Sequence, residues 1–113
     1  MMNKRIKRRW VTSLRSKRFC QTRIGVMREV DDNGNAYYCP LGILCELHRR
    51  SFGGEWVDGN RYLGHCAALP VAVQQWAGLD TANPMIRGVS ITSVNDSTKK
   101  RLSTIATMIE KAL

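Results

Sequence analysis

The chain has 113 residues, 43% of them hydrophobic, and a formal net charge of +9. The length fits one domain of ordinary size, and the hydrophobic share excludes a disordered chain. No apolar run reaches the roughly 18 residues that a membrane-spanning helix needs. The basic start lacks the apolar run of a secretory signal, so we expect a reducing cytoplasmic location, no membrane contact and four free thiols.

The first predicted element is a basic amphipathic helix over residues 3–17. Ile6, Trp10 and Leu14 recur every four residues and form one narrow apolar stripe. Asn3 is of the residue type that caps a helix at its amino end. Basic side chains occupy the other faces, so the pattern predicts a helix that docks by one stripe and exposes its charges.

A β-hairpin is predicted next, over residues 22–39. Ile24 and Val26 alternate with polar residues, and the segment 31–35 contains the Asn-Gly pair that is typical of tight turns. Pro40 suits the first turn of the apolar helix that follows, which we expect to continue to about Arg50.

The middle of the chain predicts a second small hairpin over residues 55–63 and a short helix from Pro70. Gly78 is the residue type that commonly ends such a helix. Alternating apolar residues predict a strand over residues 85–94.

The last predicted element is a helix capped by Asp96 or Ser97, with apolar residues at helical spacing from Leu102 onward. The elements together predict an α+β fold, a compact single domain over residues 1–113, with a basic amino-terminal helix, small antiparallel hairpins and a carboxy-terminal helix. The residues expected in its core include Trp10, Leu14, Leu44, Trp76, Ile105 and Ile109.

Cysteine and histidine residues raise the question of a metal site. Cys39, Cys45 and His48 follow a C-x5-C-x2-H pattern, and His65-Cys66 comes later. Structural zinc sites use two close ligand pairs, and adjacent residues do not readily point at one ion. We therefore expect buried thiols, no bound metal and no cofactor. Cys45 beside His48 also lacks the orienting third group of a nucleophilic site, so no enzymatic activity is predicted.

The distribution of charge is the strongest functional signal. Residues 1–28 contain ten basic and no acidic side chains, whereas the other 85 residues carry a net charge of −1. Such a cluster, with Trp10 and Phe19 interleaved, favours contact with a polyanion by phosphate neutralisation and base stacking. The predicted partner-binding residues are Lys4, Arg5, Lys7, Arg8, Arg15, Lys17, Arg18 and Arg23.

Several motifs, in order, resemble a family of small phage- and prophage-encoded proteins with no assigned function. They are W-x3-L-R-S at Trp10, a downstream Gln21, C-x-L-G-x-L-C at Cys39, L-P-x2-V-x2-W-x-G-L at Leu69, Asn95-Asp96, and I-A-x2-I-E at Ile105. The sequence has Pro40 where that family usually has a second cysteine. The resemblance implies a phage accessory protein that acts in the cytoplasm of the bacterial host.

These observations predict a protein that acts by binding. The favoured hypothesis is inhibition or redirection of a bacterial defence or nucleic-acid machine, as anti-CRISPR proteins do, through the basic helical face. One alternative is direct binding of DNA or RNA. Another is a sponge for a small anionic nucleotide signal, held in a pocket lined by Arg and Trp side chains.

Overall fold

The computed structural model describes residues 2–113, which form five helices and seven short strands. The helices are α1 (Lys4–Arg15), α2 (Pro40–Phe52), α3 (Val71–Ala77), α4 (Ile91–Ser97) and α5 (Leu102–Ala112). The strands are β1 (Cys20–Gln21), β2 (Arg28–Val30), β3 (Ala36–Tyr38), β4 (Trp56–Val57), β5 (Arg61–Tyr62), β6 (Met85–Ile86) and β7 (Val89–Ser90). The fold is mixed α+β, as the sequence predicts, and its buried apolar side chains form one cluster. None of the described helices is both long and apolar enough to cross a bilayer.

Helix α1 forms where it is predicted, with Asn3 as its N-cap accepting a hydrogen bond from the Ile6 amide at 3.0 Å. The predicted stripe is buried, and Val11 widens it. The helix ends at Arg15, before the expected position, because Lys17 adopts a left-handed backbone with φ of 63°. The backbone of Asn3 also donates to the Ala77 carbonyl at 2.8 Å, which fixes the start of α1 against the end of α3.

The strands form three small sheets. The largest has the order β1-β3-β2, in which β2 and β3 make the antiparallel hairpin that the sequence predicts and β1 pairs with β3 in parallel. The hairpin is shorter than expected: the Met27 carbonyl still accepts from the Cys39 amide at 2.9 Å, but the Met27 amide turns away and donates to the Cys66 carbonyl at 2.7 Å. No local pattern in the sequence predicts the parallel pairing of β1 with β3.

Helix α2 is the buried centre of the fold, and every residue from Pro40 to His48 is buried. The backbone of Met27 crosses this helix so closely that a Cβ on Gly42 would lie 1.8 Å from the Met27 carbonyl oxygen. Trp10, which is fully buried, donates its indole N–H to the Pro40 carbonyl at 2.8 Å. The C-x-L-G-x-L-C motif is therefore a packing element whose glycine admits a neighbouring backbone.

The second hairpin, β4-β5, and helix α3 with a left-handed Gly78 at its end both agree with the sequence predictions. The single strand predicted over residues 85–94 is wrong: β6 and β7 form a third hairpin that turns at Arg87 and Gly88, and the Ser90 hydroxyl caps the new helix α4. Asp96 and Ser97 lie inside α4 and do not cap α5, for which Arg101 holds the cap position. Trp76, expected in the core, is only partly buried at its edge.

Candidate functional site

Three adjoining depressions follow the line where α1 packs on α5, with volumes of about 330, 500 and 220 Å³. Arg15 lines all three, so the depressions meet at its side chain and make one surface feature. We call this feature the cationic groove. The basic residues that line it are Lys4, Lys7, Arg8, Arg15, Lys17, Arg87, Lys100 and Arg101.

The remaining chemistry of the cationic groove suits an anion. Hydroxyl groups line it from both helices, Thr12 from α1 and Ser103, Thr104 and Thr107 from α5. Glu110 is the one acidic residue among its lining residues in the described chain. Because eight cations face a single carboxylate, the groove carries a strong positive potential.

Glu110 pairs with Arg15 and ties α1 to α5. The Arg15 guanidinium donates to both Glu110 carboxylate oxygens at 3.3 Å and to the Thr107 hydroxyl at 3.0 Å. The hydrogen bonds from Arg15 lower the pKa of Glu110. Both side chains are substantially exposed, at 40% and 55%, so this pair adds little stability and Arg15 stays accessible to a ligand.

A polar cluster behind the groove holds the loop that carries Lys100 and Arg101. The carbonyl of Lys100 accepts hydrogen bonds from the Gln21 amide at 3.0 Å and from the Arg23 guanidinium at 2.7 Å. The same Gln21 amide donates to Asn95 at 2.7 Å, and the fully buried Asn95 donates to the Thr22 carbonyl at 2.8 Å. Two motifs that lie far apart in the sequence, Gln21 and Asn95-Asp96, thus act together to position basic residues.

The structure brings together five of the eight predicted partner-binding residues: Lys4, Lys7, Arg8, Arg15 and Lys17 line the groove. Arg5 and Arg18 are exposed but line none of the three depressions. Arg23 is half-buried and uses its guanidinium to hold the Lys100 carbonyl.

Sequence reasoning missed Arg87, Lys100 and Arg101 as groove residues. The run Lys99-Lys100-Arg101 was visible as a signal, but only the packing of α5 on α1 shows that it faces the amino-terminal cations. Arg87 is an isolated basic residue in the sequence, so no local pattern marks it. Of the two interleaved aromatic residues, Trp10 is fully buried, whereas Phe19 is partly buried and lines the groove.

A second concentration of arginine surrounds the buried Glu46, and we call it the Glu46 cluster. Glu46 accepts hydrogen bonds from Arg49 at 2.7 and 2.8 Å, from Arg50 at 2.9 Å and from the Trp56 indole at 2.9 Å. Burial raises the pKa of Glu46, but the hydrogen bonds from Arg49, Trp56 and Arg50 outweigh it and lower the pKa to about 2. The carboxylate is therefore charged and fully partnered.

Arg28 completes the Glu46 cluster by lying over two aromatic rings. Its guanidinium is 5.5 Å from the ring centre of Tyr38 and 5.3 Å from that of Trp56, and it donates to the Gly59 carbonyl at 2.9 Å. A depression of about 360 Å³ adjoins these side chains. Arg and Trp side chains line this depression, as expected for the nucleotide-binding pocket of the sponge hypothesis. Its guanidinium groups, however, already have partners within the protein.

Cys39, Cys45 and His48 are buried in the core, whereas His65 is exposed and Cys66 is half-buried. Burial raises the pKa of the Cys39 thiol to about 12 and raises that of Cys45 as well, so both remain protonated. Nδ1 of His48 lies 2.6 Å from the Tyr62 hydroxyl, and burial lowers the pKa of the imidazole. Within residues 2–113 no three His, Cys, Asp or Glu side chains converge in a way that could hold a metal ion.

Comparison with known proteins gives a family whose function is unknown. No curated protein and no solved structure matches the chain. One family model does match, over residues 2–113, and therefore covers nearly the whole sequence. The chain belongs to the family described as a domain of unknown function, DUF8296.

Proposed function

We propose that this protein acts by binding the sugar–phosphate backbone of a nucleic acid in the cationic groove. One observation carries the proposal: cations from α1, from Arg87 and from the loop before α5 line one groove with a single acid. Lysine, arginine and the hydroxyls of Ser and Thr are the side chains that proteins use to contact phosphate and sugar oxygens.

The groove is also held in shape before a ligand arrives. Its α1 wall is pinned by the Asn3 and Trp10 hydrogen bonds, and its Lys100 loop is held by Gln21 and Arg23. A helix of 12 residues is about 18 Å long, enough to face several consecutive phosphates of one strand. Because the backbone that carries these cations is already fixed, binding has to order only their side chains.

In its biological setting we propose a phage accessory protein without catalytic activity that inhibits or redirects a bacterial defence or nucleic-acid machine in the host cytoplasm. The resemblance in motifs from Trp10 to Glu110 supports this setting. Binding in the cationic groove would bring the protein to the DNA or RNA that such a machine carries. Restored plaque formation on a CRISPR-defended host by the wild type, but not by a groove variant, would support it.

The direct test compares two double charge reversals with the same net charge. The groove variant is Arg8→Glu with Lys100→Glu, and the control is Arg5→Glu with Arg61→Glu. All four residues are exposed, and none of their side chains makes a hydrogen bond or ion pair within the described chain. Both variants should therefore keep a thermal transition close to that of the wild type.

Fluorescence anisotropy with labelled 20-nucleotide DNA and RNA at about 50 mM salt gives the readout. We expect wild-type affinity to fall steeply with salt, and the groove variant to bind at least about tenfold more weakly. The control should lose much less. Equal losses of affinity in both variants would show that only net charge matters and not the position of the charges. Absence of binding by the wild type at low salt would refute the proposal.

A further inference from the structure

The smallest of the three depressions has a lining unlike the rest of the cationic groove. It lies between the segment after α1 and the start of α5, and Leu14, Phe19 and Leu102 give it an apolar wall. Lys17 and Arg101 also line it, as does the side chain of Gln21. Its volume of about 220 Å³ is below the roughly 300–1,000 Å³ that drug-sized ligands occupy, so it suits a single ring system.

The aromatic side chain in this pocket is fixed by its neighbours. Tyr38 packs against Phe19 edge-on, with ring centres 5.1 Å apart, and the Arg50 guanidinium lies 5.6 Å from the centre of the Phe19 ring. A ring held in this way does not have to be ordered when a second ring packs on it. Base-to-aromatic packing is the interaction by which proteins hold unpaired nucleotides.

Gln21 offers a hydrogen-bond acceptor in the same pocket. Its Nε2 donates to the Asn95 side chain and to the Lys100 carbonyl. Because a carbonyl oxygen can only accept, the amide atom that faces Lys100 must be the nitrogen. The Gln21 Oε1 has no hydrogen-bond partner within residues 2–113, and it is not buried away from solvent. It is therefore available to accept from an N–H group of a base.

From these contacts, and resting on the proposed function, we infer that this pocket receives one unstacked nucleobase and that the cationic groove binds single-stranded nucleic acid. Lys17, Arg15 and Arg101 would contact the phosphates beside that base. In a duplex the base is stacked and paired and reaches such a pocket only by flipping out, which is costly. A single strand presents its bases without that cost.

The test uses the full-length protein and three 15-nucleotide probes at about 50 mM salt: a mixed-sequence single strand, the corresponding duplex, and the single strand with all bases replaced by abasic sites. We expect the single strand to bind about tenfold more tightly than the other two, because only it can pack a base on Phe19. The abasic probe leaves the protein unchanged, so its result does not depend on the folding of a variant.

A protein variant gives the second arm. Phe19→Leu keeps an apolar side chain beside Tyr38, and we expect it to lose most of the preference for the single strand over the duplex. Equal wild-type affinity for all three probes would overturn the base pocket and leave phosphate binding in the groove intact. Absence of binding to every probe would overturn both proposals together.

Discussion

The cationic groove and the Glu46 cluster are both rich in arginine, yet they use it in opposite ways. Around Glu46, three guanidinium groups are held by one buried carboxylate, two aromatic rings and a backbone carbonyl. In the groove, eight cations lie near one exposed carboxylate, and among the described residues Arg15 is the one that bonds to it. Arginine that is partnered within the chain stabilises the fold, and arginine without such partners is available to a ligand.

The difference has an energetic basis. A buried charge needs partners, and removal of one partner leaves a desolvated charge that destabilises the protein. Unpaired surface cations keep their water, but they repel one another and destabilise the folded state slightly. We therefore expect changes on the α2 side of the molecule to affect stability, and changes in the groove to affect binding.

The largest effect should come from Gly42→Ala on α2. The added Cβ would lie 1.8 Å from the Met27 carbonyl oxygen, a contact with backbone that no rotamer change relieves. We expect a loss of more than about 4 kcal/mol in the free energy of unfolding, enough to abolish the folded state of a marginal domain. Circular dichroism and thermal denaturation measure it.

The matched change in the groove is Ser103→Ala in the first turn of α5, which removes an exposed hydroxyl. It should alter the free energy of unfolding by less than about 0.5 kcal/mol. A Gly42→Ala variant that melts like the wild type would show that the Met27 segment can move away, and the two sides of the molecule would then not differ in rigidity.

The packing around Gly42 also marks what the sequence can and cannot predict. Helix α1, the hairpin turn, α2 and the end of α3 at Gly78 follow from apolar spacing and from capping or turn residues, which are local signals. The contact of Gly42 with Met27 joins segments whose relation no local pattern encodes. The same is true of the parallel pairing between β1 and β3.

The candidate site was predictable to a similar degree. Lys4, Lys7 and Arg8 stand out because the amino-terminal charge run has no acids. Lys100 and Arg101 join them only through tertiary packing, and Arg23 turns from a candidate ligand-binding residue into a support for their loop. The strand wrongly expected through Val94 arose because Val89 and Ile91 alternate, whereas the Ser90 cap starts a helix there.

Glu46→Gln should give the next largest effect. The substitution keeps the shape of the side chain but removes the charge that Arg49, Arg50 and the Trp56 indole share. We expect a loss of about 2–3 kcal/mol in the free energy of unfolding, measured by urea denaturation, with nucleic-acid affinity unchanged below the melting transition. The control is Glu55→Gln, an exposed acid beside the same depression, which should change stability by less than about 0.5 kcal/mol.

Acid should weaken the same cluster. The pKa of Glu46 is about 2 in the folded protein, below its ordinary value of 4.5, so its contribution is present above pH 4.5 and is lost as the pH falls toward 2. By pH 3 we expect the wild type to lose about 2 kcal/mol more than Glu46→Gln does. Comparison with that variant removes the contributions of Asp31 and Glu110, whose pKa values hydrogen bonds also lower. Parallel pH curves for the two proteins would contradict this assignment.

Glu110→Gln in the groove should have the smallest effect on stability. Unlike the other changes, it should strengthen nucleic-acid binding. Loss of the exposed pair with Arg15 should lower the free energy of unfolding by less than about 1 kcal/mol. Because the groove would then have no acidic residue and Arg15 would be released, we expect nucleic-acid affinity to rise about threefold at 50 mM salt and the gain to shrink as salt screens it. Glu55→Gln makes the same change in net charge outside the groove and should raise the affinity less. If Glu110→Gln instead weakened binding, the ion pair would serve to position Arg15 for the ligand. The groove, like the Glu46 cluster, would then depend on an arginine that a carboxylate holds in place.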